Sequence, residues 1–188
     1  MAEPVEHDGT SGDPYVGLVD DAAHAAAVRA RAERRERHDR AVELATWLGT
    51  LRDLAERAEP VALAIRGGRS LRGRLVGLGG DHVALALAGG GRVLVRLGAV
   101  RAARVEPGRH TPTAAGDRPA PGTSTVDDAI DELAASGGTV VLYVRDLVDP
   151  LRGEVQGIGE DVVTVRLDGP ERLVAYLPAA SIDAVQIS

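Results

Sequence analysis

The 188-residue chain contains no cysteine, no lysine and no phenylalanine, and it has only one tryptophan and three tyrosines. Without cysteine it can form neither a disulfide framework nor a thiolate metal site. Without lysine it has no P-loop lysine and no amine for a Schiff base. Because aromatic residues are so rare, a folded core has to be built from Val, Leu, Ile and Ala.

Long apolar runs are missing as well. No segment approaches the roughly 18 apolar residues that a membrane span requires, and the acidic N-terminus lacks the apolar region of a signal peptide. We therefore expect a cytoplasmic protein with no membrane contact.

Patterns that would indicate catalysis or metal binding are also missing. The five histidines have no metal-binding spacing, and Ser70 does not lie in a Gly-x-Ser-x-Gly turn. Asp81 and His82 could form an acid–base pair, but the repeat described below retains the Asp and replaces the His, which favours a turn role for Asp81. We predict no catalytic residue, no metal, no cofactor and no enzymatic activity.

An internal repeat dominates what the sequence does contain. Residues 71–87 return as residues 151–167, with eight of the seventeen positions identical and three more exchanging one aliphatic residue for another. Within each copy the aliphatic residues alternate, which places them on one face of a strand. With the flanking segments, each copy reads as five short strands entered from a helix.

Glycine and aspartate recur at matched positions in the two copies. A glycine inside a strand allows a bulge, and Gly-x-Asp favours a turn, where glycine can adopt a positive φ. The residues interpreted as bulge and turn positions are Gly73, Gly77, Gly79 and Asp81 in the first copy and Gly153, Gly157, Gly159 and Asp161 in the second.

Each copy contains, in order, a helix, a strand, a bent strand with a hydrophobic-x-Gly segment, a Gly-x-Asp turn and three further short strands. This order of elements resembles the Sm-like (Sm, LSm and Hfq) small β-barrel. The outline is also similar to PRC-barrel modules. The resemblance implies ring assembly and RNA binding. The RNA-binding motif residues are not retained, however: the residues after Asp81 include no Asn, and Leu97-Gly98 stands where Hfq has Lys-His.

The predicted fold class is α+β, mainly β, with two Sm-like five-stranded small barrels, each preceded by a helix, and a long charged N-terminal helix. The predicted order is a disordered tail (1–19), an N-terminal helix with a charged first half and an amphipathic second half (20–59), a first barrel (60–106), a Pro/Gly linker (107–124), and a short helix with a second barrel (125–188). Trp47 is interpreted as an anchor of the helix on the barrel; the alternative is base stacking.

The sequence also predicts local features of the helices. The amphipathic half carries an apolar stripe that includes Leu44, and Gly49 is expected to kink or interrupt this helix. The short helix is expected to follow the N-cap Thr125, with Asp127 and Asp128 in its first turn, and to end at Gly137. The first strand of each barrel is expected at residues 60–65 and 139–144.

Charge is distributed unevenly between the copies. Residues 60–110 carry nine Arg against two acidic residues, whereas residues 139–188 carry four against eight. The basic copy could dock on acidic parts of the same chain, or it could bind an anion such as a nucleic acid. The candidate nucleic-acid-binding residues are Arg66, Arg69, Arg72, Arg74 and His82.

Two hypotheses follow for function. The first is a non-enzymatic assembly or protein-interaction module that works by edge-strand pairing, the fourth strand of one barrel with the fifth strand of another. Its partner would be the chain itself, through barrel–barrel pairing or a homo-oligomer, or another protein. The second is regulatory binding of RNA or DNA through the basic face of the first barrel.

Overall fold

A computed structural model describes residues 14–43, 45–105 and 122–187. Residues 1–13 of the predicted tail, residues 107–121 of the predicted linker, and Leu44 of the predicted apolar stripe lie outside the described residues. The described residues divide into two compact units, with residues 14–43 in the first and residues 45–105 and 122–187 in the second.

The first unit contains helix α1, Pro14–Glu43, which begins earlier than predicted and carries the charged segment. In the second unit, α2 spans Trp47–Glu56 and α3 spans Val126–Ser136. The interruption predicted at Gly49 falls instead at Thr46, whose hydroxyl caps α2 by accepting from the Gly49 N–H. For α3, the predicted N-cap Thr125 and the end at left-handed Gly137 are both confirmed.

The described residues of the second unit also contain ten strands, five after α2 and five after α3. Their bounds are β1 Pro60–Ile65, β2 Ser70–Leu78, β3 His82–Ala86, β4 Arg92–Arg96, β5 Val100–Val105, β6 Thr139–Val144, β7 Leu151–Ile158, β8 Val162–Leu167, β9 Val174–Pro178 and β10 Ile182–Ile187. They form one antiparallel sheet in the order β5-β1-β2-β3-β4-β10-β6-β7-β8-β9. The described chain is therefore α+β and mainly β.

The two halves of the sheet have the same strand order. We call residues 47–105 (α2 and β1–β5) the first repeat and residues 126–187 (α3 and β6–β10) the second repeat. In the first repeat the order is β5-β1-β2-β3-β4, and β10-β6-β7-β8-β9 repeats it position by position. The sequence duplication therefore corresponds to a duplicated topology.

Each repeat buries an aliphatic cluster beneath its helix, and each cluster also includes a residue of the other repeat, Ala184 in the first and Leu94 in the second. Leu51 and Leu54 of α2 pack with residues such as Leu63 of β1, and α2 lies against β2. In the second repeat, Val126 and Ile130 of α3 occupy the corresponding place, and α3 lies against β7. Burial of these Val, Leu and Ile side chains is the main contribution to folding, at ~25 cal/mol per Å² of apolar surface.

The predicted strand bulges are present in both repeats. The register of β2 against β3 shifts between Leu75 and Gly77, and that of β7 against β8 shifts between Val155 and Gly157. Neither glycine has a neighbour within 4 Å of an added Cβ. The glycines required by space are Gly73 and Gly153, whose Cβ would lie 2.5 Å and 2.2 Å from the carbonyl oxygens of Ala86 and Arg166.

The explanation expected for the Gly-x-Asp turns is wrong. Neither Gly79 nor Gly159 adopts a positive φ. Gly79 is required by close approach instead, because a Cβ there would lie 2.6 Å from the Ser124 carbonyl oxygen and 2.1 Å from His82 Cε1. The chain that enters α3 therefore rests directly on this turn, and the Gly80 N–H donates to Ser124 O at 2.8 Å.

Candidate interaction site

The two repeats join edge to edge inside one chain. Strand β4 of the first repeat pairs with β10 of the second, with Val95 opposite Ala184 and Leu94 opposite Val185. Since β4 is the fourth strand of its repeat and β10 the fifth of the other, this junction pairs a fourth strand with a fifth strand. We call it the internal junction.

An ion pair holds one end of the internal junction. Arg66 donates through Nη1 to Asp183 Oδ1 at 3.0 Å and through Nη2 to Gly98 O at 3.0 Å. Asp183 is only 2% exposed, and Arg145 of its own repeat lies 3.8 Å from it. A buried carboxylate needs such partners, because an unpaired charge in this position would be costly.

Arg96 connects three segments at the same end of the internal junction, where β4 ends and β10 begins. Its guanidinium lies 2.5 Å from Asp81 Oδ2 and 2.5 Å from Asp127 Oδ1 of α3. Its Nε donates to Ile182 O at 3.0 Å. One arginine therefore links the Asp81 turn, the first turn of α3 and the start of β10.

Asp81 is a turn residue that also receives the N-terminus of α3. Its Oδ1 accepts from the Val126 N–H at 2.9 Å and lies 3.2 Å from His82 Nδ1. With Arg96 on the other oxygen, the carboxylate is engaged in contacts that hold the fold. His82 is buried, so its ring is not available for base stacking.

Arg69 also bonds to the second repeat. Its guanidinium donates to the carbonyl oxygens of Leu147 and Val148, the latter at 2.7 Å, and lies 5.7 Å from the centre of the Tyr143 ring. Of the five candidate nucleic-acid residues, Arg66, Arg69 and His82 thus make contacts that join or support the repeats.

Arg72 and Arg74 are exposed and lie on one face of the sheet. Arg72 and Arg104 are both opposite Ala62, and Arg74 and Arg92 are both opposite Ala86. Residues opposite one another in a ladder share a face, so four arginines alternate with alanines there. We call these four residues the basic face. In the described part of the chain, no carboxylate forms an ion pair with any of them.

The second repeat carries no such basic face. The position equivalent to Arg74 is Glu154, which forms an ion pair with Arg166 on the neighbouring strand. The position equivalent to Arg92 is Val174. The arginines that make the first copy basic therefore fall into two groups. Arg66, Arg69 and Arg96 contact the second repeat, whereas the basic face is exposed to solvent.

The outer edges of the sheet form the second candidate surface. Among the described strands, β5 pairs only with β1 and β9 only with β8. Exposed apolar side chains lie on and beside β9: Leu173, Val174 and Tyr176. Trp47 and Leu48 at the start of α2 are also exposed. An exposed apolar strand edge is a template for pairing with another strand.

Sequence reasoning missed the junction residues Asp127 and Asp183. Asp183 did leave a signal, because a carboxylate between Ile182 and Ala184 in an aliphatic strand is rarely buried without a partner. Asp127 was read only as an acidic residue that favours the start of α3.

Asp128, at the start of α3, forms two hydrogen bonds with Thr125. Asp128 Oδ2 accepts from the Thr125 N–H at 2.7 Å, and Thr125 Oγ1 accepts from the Asp128 N–H at 3.1 Å. The Thr125 backbone N–H, as the larger cause, and the Thr125 hydroxyl hold the pKa of the Asp128 carboxyl below its usual value.

Within residues 14–43, 45–105 and 122–187, no three His, Asp or Glu side chains come together as a metal site. No helix among them combines the length and apolarity needed to cross a membrane. Comparison of the chain with protein-family models, with curated proteins and with solved structures found no match.

Proposed function

We propose that the chain is a non-enzymatic assembly protein, made of two Sm-like small barrels, that binds protein partners by edge-strand pairing. The observation that carries this proposal is the internal junction, in which a fourth strand already pairs with a fifth strand from another repeat. A surface that forms one such junction within the chain is suited to form others at its outer edges.

The exposure of the two edges supports the same function. β9 carries an apolar, solvent-facing side chain at Tyr176, and Lys, which often protects edge strands, does not occur in the chain. Main-chain groups along such an edge supply affinity, and the side chains beside it supply specificity.

Site-specific photo-crosslinking in living cells tests this function. A photo-reactive amino acid is placed at position 176 on β9 and at position 102 on β5, and the control position is 76, an exposed apolar residue on β2, which is paired on both sides. We expect discrete crosslinked products from positions 176 and 102 and none from position 76. No product from either edge would contradict the proposed function.

A second candidate function, regulatory binding of RNA or DNA, is favoured by the basic face. Its four arginines are exposed on one sheet surface and lack ion-pair partners among the described residues. Contacts with about four phosphates of a single strand would give a salt-dependence slope of about −3. Base-stacking aromatics, which single-strand binders use, are not found in residues 60–105.

Retention of single-stranded RNA and DNA at about 50 mM salt tests the second function. The double variant Arg72→Glu, Arg74→Glu should abolish retention, whereas Arg152→Glu at the equivalent exposed position of the second repeat should leave it unchanged. Absence of any shift with the wild-type chain would remove this function.

A further inference from the structure

We propose that the partner of the outer edges is a second copy of this chain, bound head to tail, with β9 of one copy pairing with β5 of the next. This inference rests on the proposed function and specifies its partner. It would extend the sheet by a second junction of the same strand order as the internal one.

The equivalence between the strands of the two repeats predicts the register of the proposed pairing between β9 and β5. β4 and β9 each end directly before a one-turn 3₁₀ helix, and β5 and β10 each begin directly after it. β9 of one chain is therefore equivalent to β4, and β5 of the next is equivalent to β10. Transferred from the internal junction, the register pairs Leu177 with Ala102, Tyr176 with Ala103, Ala175 with Arg104 and Val174 with Val105.

Apolar side chains that the internal junction buries are exposed at the outer edges. Leu94 on β4 is 8% exposed, whereas its equivalent Tyr176 on β9 is 72% exposed. Val126, the first residue of α3, is fully buried, whereas its equivalent Trp47, the first residue of α2, is 45% exposed. Head-to-tail pairing would bring Tyr176 and Trp47 into the places that Leu94 and Val126 occupy in the internal junction.

A second observation is that both members of one ion pair are replaced together. In the internal junction, Arg96 at the end of β4 bonds to Asp127 at the second position of α3. The equivalent of Arg96 is Pro178 at the end of β9, and the equivalent of Asp127 is Leu48 at the second position of α2. A charged contact in one junction thus corresponds to an apolar contact in the other.

The contact between Asp81 and the start of α3 in the internal junction also has a counterpart in the proposed pair of chains. Asp81 accepts from the Val126 N–H, and its own carbonyl accepts from Leu97 N at 2.8 Å. Asp161 is exposed, and its carbonyl accepts from Ala179 N at 2.8 Å in the same way. In the head-to-tail pair the Asp161 carboxylate would accept from the Trp47 N–H of the neighbouring copy.

Charge favours unlike edges over like edges. Pairing β9 with β5 brings the acidic second repeat against the basic first repeat, whereas pairing β5 with β5 would oppose two basic repeats. One contact is unfavourable, because the equivalents of Arg66 and Asp183 are Arg145 and Arg101. Those two arginines hold the carbonyls of Ala180 and Gly98 in their own repeats. The missing counter-charge would make the intermolecular junction weaker than the internal one.

The purified full-length chain tests the inference through complementation. Tyr176→Glu blocks the β9 edge and leaves the β5 edge intact, and Trp47→Glu does the reverse. Both positions are solvent-exposed, and an acid in the first turn of α2 is favourable for the helix. In sedimentation velocity we expect the wild-type chain to associate as concentration rises, each variant alone to remain monomeric, and an equimolar mixture of the two to form a dimer.

Three further variants complete the test. Val76→Glu changes an exposed apolar side chain on β2, a strand that is paired on both sides, and it should associate like the wild type. Arg101→Asp supplies the missing counter-charge and should lower the dissociation constant about tenfold. Val174→Glu is a second block of the β9 edge, should Tyr176→Glu fail to fold by circular dichroism.

The opposing outcomes are distinct. A wild-type chain that stays monomeric at all concentrations, or a mixture that forms no dimer, would overturn the head-to-tail inference. The proposed function would survive that result if crosslinks at positions 176 and 102 still identified other proteins. Association that persists in either blocked variant alone would place the contact elsewhere and would also overturn the inference.

Discussion

Arg66 and Asp183 form an ion pair across the internal junction with Nη1 and Oδ1 3.0 Å apart, although 117 positions separate them in the chain. The basic first repeat and the acidic second repeat are therefore complementary parts of one molecule at this point. The excess of arginine in residues 60–105 is shared between this junction and the basic face.

Removing the charge of Asp183 should destabilise the fold. Asp183→Asn should lower the free energy of unfolding by about 1–3 kcal/mol, because Arg66 and Arg145 would lose a buried charged acceptor. Urea denaturation monitored by circular dichroism measures the change. The control is Asp149→Asn, an exposed loop residue that should leave the midpoint unchanged. Equal midpoints for the two variants would contradict the buried ion pair.

Arg96 should contribute more to the stability of the fold than Arg92 does. Arg96→Met should cost about 2–3 kcal/mol, since Asp81 and Asp127 would lose the cation between them. Arg92→Met on the same strand removes an exposed arginine and should change stability by less than about 0.5 kcal/mol.

Arg96 and Asp127 can also be tested together. Combining Arg96→Met with Asp127→Leu replaces the ion pair with two apolar side chains, as Pro178 and Leu48 do at the equivalent positions. A double-mutant cycle should therefore give a combined cost below the sum of the two single costs. Strict additivity in thermal denaturation would show that Arg96 and Asp127 do not act as a pair.

The matched glycines should differ in their tolerance of alanine. Gly73→Ala should destabilise the chain by about 1–3 kcal/mol or more, because the added Cβ would lie 2.5 Å from the Ala86 carbonyl oxygen. Gly77→Ala should be nearly neutral, because nothing lies within 4 Å of a Cβ there. Gly153 and Gly157 form the same comparison in the second repeat. A greater loss at Gly77 than at Gly73, measured as the shift in Tm, would refute this assignment.

Asp128 should make stability depend on pH in the acid range. Its pKa is lowered in the folded state by the Thr125 backbone and hydroxyl bonds, so its contribution is present above the usual aspartate pKa. The contribution is lost as pH falls through the lowered folded-state pKa. The stability difference between wild type and Asp128→Asn should therefore shrink in acid, as measured by urea denaturation across that range.

Thr125→Ala provides a spectroscopic check on the same contact. The carboxyl carbon resonance of Asp128 should titrate at a higher pH in this variant than in the wild type, but only part of the shift should disappear. The backbone N–H of residue 125, the larger cause, is still present. The lost cap should also cost about 1 kcal/mol of stability. An unchanged titration would show that the hydroxyl plays no part.

Local features were the most predictable from the sequence. The bounds of β1, β6 and α3, the N-cap Thr125 and the bulges before Gly77 and Gly157 follow from alternation, capping residues and the repeat. These depend on neighbours a few positions away, which a single sequence displays. The positive φ expected at Gly79 was wrong, because the contact that requires glycine comes from Ser124, a residue far along the chain.

The candidate site was less predictable for the same reason. Arg66, Arg69 and His82 have the side chains that a nucleic-acid site would use, which is why the sequence suggested them. Their contacts in the fold are with Asp183, Val148 and Asp81, respectively, and the contacts of the two arginines form only when the strands are paired. Arg72 and Arg74 kept their exposure, and ladder pairing added Arg92 and Arg104 to their face.

The sequence by itself determined that two copies of one α+β unit exist, with aliphatic interiors and matched glycines, because repetition and period-two alternation are local properties. Only the tertiary structure decided that the copies join through β4 and β10 and that β5 and β9 are left as outer edges. Edge pairing is made by backbone groups that every residue carries, so side-chain identities alone do not specify which edges meet. The choice is made by contacts between distant residues, such as Arg96 with Asp127, that exist only once both repeats are folded.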